Sequence, residues 1–427
     1  MRIIKEIPEL LQAGVISEST AIKIEEYYRS KKTPTSNKFF LVSGILGAIL
    51  VGLGVILILA HNWDTLSREL KLFFAFLPLV SAQALCGYVL LKKRDSDAWR
   101  EVAATLLFFG VAASIALVSQ IYNIPGDLND FVLSWMLLCI PIIYVMRSSV
   151  VSLFCIIGIT YYGYMEGYWH YPKQESYLYW GLMALVLPYY YLLYKRKSKS
   201  NFMTFHNWLV PLSLVLVLVT LSYKHEEFMN IAYMSLFGIF YLIGDSNFFS
   251  VQKLRNNGYR VIGALGTIIT LLIYSFDWFW LDLNKADLAN FISAPEFLSA
   301  LVLTIAAVVL FVKQMNLKAE SLKPVSLVFF LFIVIFIIGI VAPLLATVLV
   351  NILVFAIGLF TMRLGTRQDH LVILNYGLLV IAALIACRFF DTELSFVFRG
   401  LMFIAIGIGF FVANYFRIQK RRENELE

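Results

Sequence analysis

Apolar runs recur along this chain from Phe39 to Phe416, separated by short polar breaks. A helix needs about 20 mostly apolar residues to cross the hydrocarbon of a bilayer. Fourteen segments read as spans: 39–61, 70–91, 102–122, 130–146, 149–168, 176–194, 207–223, 228–244, 260–276, 297–313, 324–341, 344–362, 370–388 and 396–416. Some, such as 39–60, have the full length. Others, such as 131–146, are shorter and call for a thin edge or snorkelling flanks. The stretch 324–362 would be about 58 Å long as one helix, nearly twice the hydrocarbon thickness, so it divides at Pro343 into two spans. The predicted fold class is all-α: a polytopic transmembrane helical bundle of about fourteen spans, preceded by a short N-terminal helical hairpin.

Three regions follow from this pattern. Residues 1–36 form a cytoplasmic helical headpiece, 37–416 the transmembrane bundle and 417–427 a short charged tail. In the headpiece, residues 3–13 read as a short helix that Gly14 ends, and Ser17 is placed to N-cap a second helix through about Lys32. Ala21, Ile24 and Tyr28 share one face of that helix. Its charges are mixed, with no basic recognition face, so no nucleic-acid partner is predicted. A protein partner or self-association through residues 1–36 fits better. Residues 1–38 carry no apolar signal core, so the first span is expected to stay as an anchor.

Composition agrees with embedment. Of 427 residues, 60% are hydrophobic and 15% charged, where soluble domains sit nearer half and a quarter. The mean hydropathy is +0.77. Charge then gives orientation. With the N-terminus inside, all but seven of the 35 Lys and Arg fall on the cytoplasmic side of the fourteen-span topology. The seven exceptions are Arg68, Lys71, Lys173, Lys224, Lys285, Arg388 and Arg399. The net charge of +7 is therefore a topology signal. Both termini are expected in the cytoplasm and the protein in the bacterial inner membrane, with the lipid bilayer as its first partner.

Packing signals lie inside the spans. Gly44, Ala48 and Gly52 fall at i, i+4 and i+8 on the first span and allow another helix close approach. Gly400, Gly407 and Gly409 thin the last span. Pro78, Pro141 and Pro188 each remove a backbone donor within a span. Cys86, Cys139, Cys155 and Cys387 lie in apolar runs without a C-x-x-C pair and read as packing residues. No metal and no cofactor are predicted.

Polar chemistry gathers in three motifs that this topology sends to the outer face. The first is His61-Asn62-Trp63-Asp64, closing span one. The second runs from Ser119-Gln120-Ile121-Tyr122 to Gly126-Asp127, closing span three. The third joins the last two spans, from Arg388 through Asp391 and Glu393 to Arg399. Glu166 and His170 end span five on the same side. Caps and anchors are one account: Asp64 capping the next helix, Trp63 at the headgroups, Arg388 and Arg399 paired with Asp391 and Glu393. An outward polar pocket is the other, because ionisable groups at membrane depth mark substrate or proton paths. The arginines would then hold a phosphate, and His61 with Asp64 would relay protons. The aromatic stretch Asp277-Trp278-Phe279-Trp280 reads as an interfacial loop, with sugar stacking as its sharper alternative.

Several chemistries find no support. There is no P-loop, no H-E-x-x-H, no G-x-S-x-G and no paired intramembrane aspartates. No loop is long enough for a catalytic domain.

The headpiece run Leu11-Gln12-Ala13-Gly14-Val15-Ile16, the glycine-rich first span ending in Asn62-Trp63-Asp64, and Gln120-Ile121-Tyr122 with Gly126-Asp127 resemble an uncharacterised bacterial family of predicted membrane proteins. That family is defined by a domain of unknown function, and the resemblance covers roughly the first 150 residues. The family pattern has a small residue before the Asn-Trp-Asp, where this chain has His61. The resemblance implies a membrane fold and no particular reaction. The leading expectation is a non-enzymatic protein that transports or handles a lipid-linked or other envelope component through an outward polar cavity. An outer-leaflet glycan polymerase or transferase, using Asp127 or Glu166 as base, is the second. A scaffold for a partner protein is the third.

Overall fold

Long apolar runs satisfy their own backbone only as helices when water is absent, and helices are what this chain forms. The computed structural model describes residues 7–8, 10–30, 35–61, 66–169, 176–222, 224–250, 252–285, 291–318 and 324–391, with scattered positions from 397 to 415. Among them there is no strand. Fifteen long helices follow in order: α1 Glu18–Ser30, α2 Thr35–His61, α3 Arg68–Lys92, α4 Asp97–Tyr122, α5 Leu128–Val145, α6 Ser149–Trp169, α7 Tyr177–Lys197, α8 Asn201–Leu218, α9 Glu227–Asp245, α10 Gly258–Ile273, α11 Asp277–Lys285, α12 Pro295–Lys318, α13 Val328–Val341, α14 Pro343–Arg367 and α15 Leu371–Asp391.

Thirteen of the fourteen expected spans coincide with helices, and the break at Pro343 separates α13 from α14. The fourteenth lies mostly outside the described residues. Nine described helices are long and apolar enough to cross a bilayer: α3, α4, α5, α6, α8, α9, α12, α14 and α15. For three of the other expected spans the shortfall has a physical cause. α7 is diluted by six tyrosines and a Lys195-Arg196-Lys197 end. α13 has only 14 residues. α10 is short and meets α11 at a 76° bend, so the two make a tenth span only if taken as one broken element.

That bend corrects one expectation. Residues 277–285 are a helix, not a loop, and Trp280 is fully buried. Trp280 and Leu283, three apart, face inward, while Trp278 stays exposed. A two-tryptophan stacking platform is therefore not formed. A second correction concerns α3, whose N-cap is Ser67, accepting from the Leu70 N–H, rather than Asp64. Residues 62–65 lie outside the described residues.

The headpiece follows its local signals. Gly14 takes φ +68°, and the Gly14 and Val15 N–H groups donate to the Leu11 and Leu10 carbonyls, a Schellman ending. Ser17 Oγ accepts from the Thr20 N–H at the start of α1.

The chain divides into two units, residues 1–158 with 185–191, and residues 159–184 with 192–427. The first is built around α4, whose buried face carries Ala103, Ala104, Phe108, Ala112, Ala113 and Leu117. Small residues there let neighbours come close. A Cβ on Gly44 of α2 would lie 2.8 Å from Val102, and one on Gly52 3.0 Å from Phe109. Ala48 between them is buried. The small-residue stripe of α2 therefore faces α4. On another side of α4, a Cβ on Gly110 would lie 3.1 Å from the Pro78 carbonyl oxygen of α3. Ser114 Oγ donates to the Ala75 carbonyl at 2.6 Å, binding the same pair. Backbone cannot yield as a side chain can, so Gly110→Val is expected to cost about 1–3 kcal/mol by overpacking. Thermal unfolding of the variant in detergent checks this, and an unchanged transition would contradict the close α3–α4 contact.

The second unit packs α9 against α10 and α12, and α14 against α15. Aromatic rings fill its centre, with Tyr274 5.2 Å and Trp280 6.4 Å from Phe332 between ring centroids.

Candidate functional site

The turn after α4 shows how local chemistry positions a site. Asn123 adopts φ +50°, a conformation Asn tolerates better than most residues. The Ile124 N–H donates to the Ser119 carbonyl at 2.9 Å, closing the helix. Ser119 Oγ donates back to the Ile124 carbonyl at 3.1 Å. Asp127 then N-caps α5, its carboxylate accepting from the Asp130 N–H at 2.8 Å. Both turn-forming residues thereby face one space.

That space is a cavity of about 890 Å³ bounded by α3, α4, α5 and the 119–127 turn. Asp127 and Asp130 stand with Ser119 at the turn end, and Ser114, Gln83 and Ser134 stand along the walls. Ser114 is eight residues before the end of α4, about 12 Å deeper along the helix. The intervening wall is apolar, with Phe76, Leu79, Val111 and Phe131 among its members. None of the described lining residues is Lys or Arg. The cavity can therefore solvate hydroxyls or a cation in an otherwise apolar setting.

Gln120 and Tyr122 belong to the same turn but do not line the cavity. Both are exposed on α4, and the Arg68 guanidinium lies 4.7 Å from the Tyr122 ring centroid. Of the second motif, Ser119, Gly126 and Asp127 line the cavity, with Ile124 and Pro125 between them, and Asp127 is the ionisable residue among them. His61 closes α2, and its side chain, with Asn62, Trp63, Asp64 and His170, lies outside the described residues.

Glu166 and Arg388 belong to the second unit. Glu166 is half-buried on α6, next to Gly167, where a Cβ would lie 2.3 Å from Thr220. Arg388 Nη2 donates to Ser275 Oγ at 3.2 Å, and its guanidinium lies 4.6 Å from the Phe276 ring centroid. Asn351 Nδ2 donates to the Ser275 carbonyl at 2.8 Å. The arginine thus pins the corner between α10 and α11. Asp391 ends α15. The side chain of Asp391 and all of Glu393 and Arg399 lie outside the described residues.

Residues 8–152 match a family described as "Predicted membrane protein (DUF2157)". The resemblance read from the sequence is shown over that segment, which includes every residue lining the cavity. The protein is a membrane protein with several apolar helices. No curated protein and no solved structure matches the chain.

Sequence reasoning missed four polar residues. Gln83, Ser114 and Ser134 are uncharged polar positions inside spans, a weaker signal than an ionisable group at the same depth. Glu101, one residue before the third expected span, is only 5% exposed. Its carboxylate accepts from the Ser148 hydroxyl, from the Ser149 N–H at 2.8 Å and from the Val150 N–H at 3.1 Å. It caps the start of α6 from another helix.

Proposed function

We propose that this protein binds a hydroxyl-rich or cationic envelope component in the cavity between α3, α4 and α5, and hands it on without covalent chemistry. The observation that carries this reading is the cavity's lining. Polar groups follow one another from Asp127 and Asp130 to Ser114 and Gln83, within walls that are otherwise apolar. Ligand sites in membrane bundles are typically concave, mostly apolar and set with a few polar groups. The charge distribution of the loops supports an inner-membrane location with both termini in the cytoplasm, which turns the 119–127 end outward. On that topology the cavity receives its ligand from the outer side. The absence of Lys and Arg from the described lining weighs against a phosphate group as the recognised feature.

Mass spectrometry of molecules that co-purify with the protein in native lipid tests this. The double variant Asp127→Asn and Asp130→Asn keeps an N-cap on α5, because Asn caps about as well as Asp. It is expected to retain a cationic ligand at least about tenfold less than the wild type, equivalent to 1.4 kcal/mol. Equal retention by both would remove the carboxylates from recognition. Recovery of a phosphorylated isoprenoid would point to glycan handling at another site. A clean preparation whose cavity variants still function fully would favour a scaffold.

A further inference from the structure

The second unit holds a separate pocket of about 220 Å³ between α9, α10, α14 and α15. Among the described lining residues Arg260 is the one cation, set in place by glycines. A Cβ on Gly244 would lie 2.5 Å from the Arg260 backbone nitrogen, and one on Gly263 2.5 Å from that of Tyr241. With both side chains absent, α9 and α10 touch backbone to backbone. Arg260 then lies beside the buried Tyr241, and both line the pocket. Tyr376 closes the far side, its hydroxyl donating to the Ala264 carbonyl at 3.3 Å. The pocket continues along apolar side chains, and Leu265 and Val372 in that wall are 44% and 57% exposed. The apolar wall is thus continuous with surface that lies in lipid.

Charge at this end of the unit is unbalanced. Lys253 and Arg255 flank the lining residue Leu254, and Arg363 and Arg367 flank the lining residue Leu364, all four exposed. Asp245 at the end of α9 and Asp369 after α14 are the carboxylates among the described residues there. The topology read from the sequence sends this end to the cytoplasmic side, where anionic headgroups attract basic segments.

We propose that this pocket holds an anionic phospholipid, its phosphate against the Arg260 guanidinium and an acyl chain along Leu265 and Val372. A guanidinium beside a tyrosine hydroxyl offers a phosphodiester several donors. The exposed wall gives the chain a path that stays within the hydrocarbon. Free phosphate would use the guanidinium alone and leave that wall without a role.

The test is native mass spectrometry of the full chain in detergent, given phosphatidylglycerol and phosphatidylcholine with identical chains. The wild type is expected to retain phosphatidylglycerol in preference. Arg260→Gln is expected to lower that retention about fivefold, the effect of roughly one basic residue at a headgroup. Phosphatidylcholine, which has the same phosphate but no net charge, should lose less, and neutralising Arg363 and Arg367 together should have a smaller effect than Arg260→Gln. If Arg260→Gln fails to fold, a phosphatidylglycerol with a photoactivatable chain is cross-linked to the wild type, with adducts expected between 261 and 265 and between 372 and 376. Equal retention of the two lipids, indifference to Arg260→Gln, or adducts elsewhere would overturn the proposal. Full displacement by millimolar inorganic phosphate would also overturn it, by showing a site for the anion alone.

Discussion

Replacing Glu101 by alanine is expected to lower the apparent unfolding temperature in detergent by about 3 °C, from a loss of about 3 kcal/mol. The carboxylate is buried and accepts from one hydroxyl and two backbone N–H groups at the start of α6. Those N–H groups have no partner within their own helix, because the first turn lacks preceding carbonyls. Alanine removes the cost of burying a charge, yet it strands three donors in a site without solvent, and the second effect is the larger. The turn it holds is tight: Arg147 takes φ +50°, and Tyr189 donates to the Arg147 carbonyl at 3.1 Å from the other side. Glu101→Gln keeps one acceptor oxygen but turns an amide toward the same donors, so an intermediate loss is expected. An alanine variant that melts with the wild type would mean that other groups satisfy the start of α6.

Glu101 also shows where sequence reading stops. Its partners lie 47 to 49 residues further on, and two of the three are backbone groups, which no side-chain pattern encodes. What was legible is what depends on near neighbours. Runs of about 20 apolar residues became helices because a chain in lipid has few other ways to satisfy its backbone. Gly14 and Ser17 act within one turn, so their roles as helix signals are local. Asp127 in a Gly-Asp turn suits turn chemistry and a pocket alike, and it is an N-cap that also lines a cavity. The cavity itself was not legible, since Gln83, Ser114 and Ser134 come from three helices and meet only through packing. The 277–285 stretch failed for a different reason. Aromatic residues between two aspartates suit an interfacial loop and a buried amphipathic helix equally well, and only the Trp280–Leu283 spacing separates them.

That stretch carries the second large effect. Trp280→Ala is expected to destabilise the protein by about 3–5 kcal/mol, the usual range for removing a large buried aromatic. The indole is fully buried, its Nε1 donates to the Tyr274 carbonyl at 2.8 Å, and Tyr274 and Phe332 surround it. Gly339 of α13 faces the ring, where a Cβ would lie only 2.2 Å from it. Asn284, one turn further along α11, donates to the Ile340 carbonyl at 2.6 Å. The tryptophan therefore seats α11 against α13, and Arg388 holds the same corner through Ser275. Trp280→Phe keeps most of the apolar volume and loses the N–H donor, so a smaller cost, nearer 1 kcal/mol for the hydrogen bond, is expected. Unfolding temperatures of the two variants in detergent give the comparison. If alanine and phenylalanine cost the same, the hydrogen bond rather than the packed ring fixes the bend. If neither costs anything, α11 is not seated by this residue, and the 76° break between α10 and α11 must be held by Arg388 and Asn351 instead.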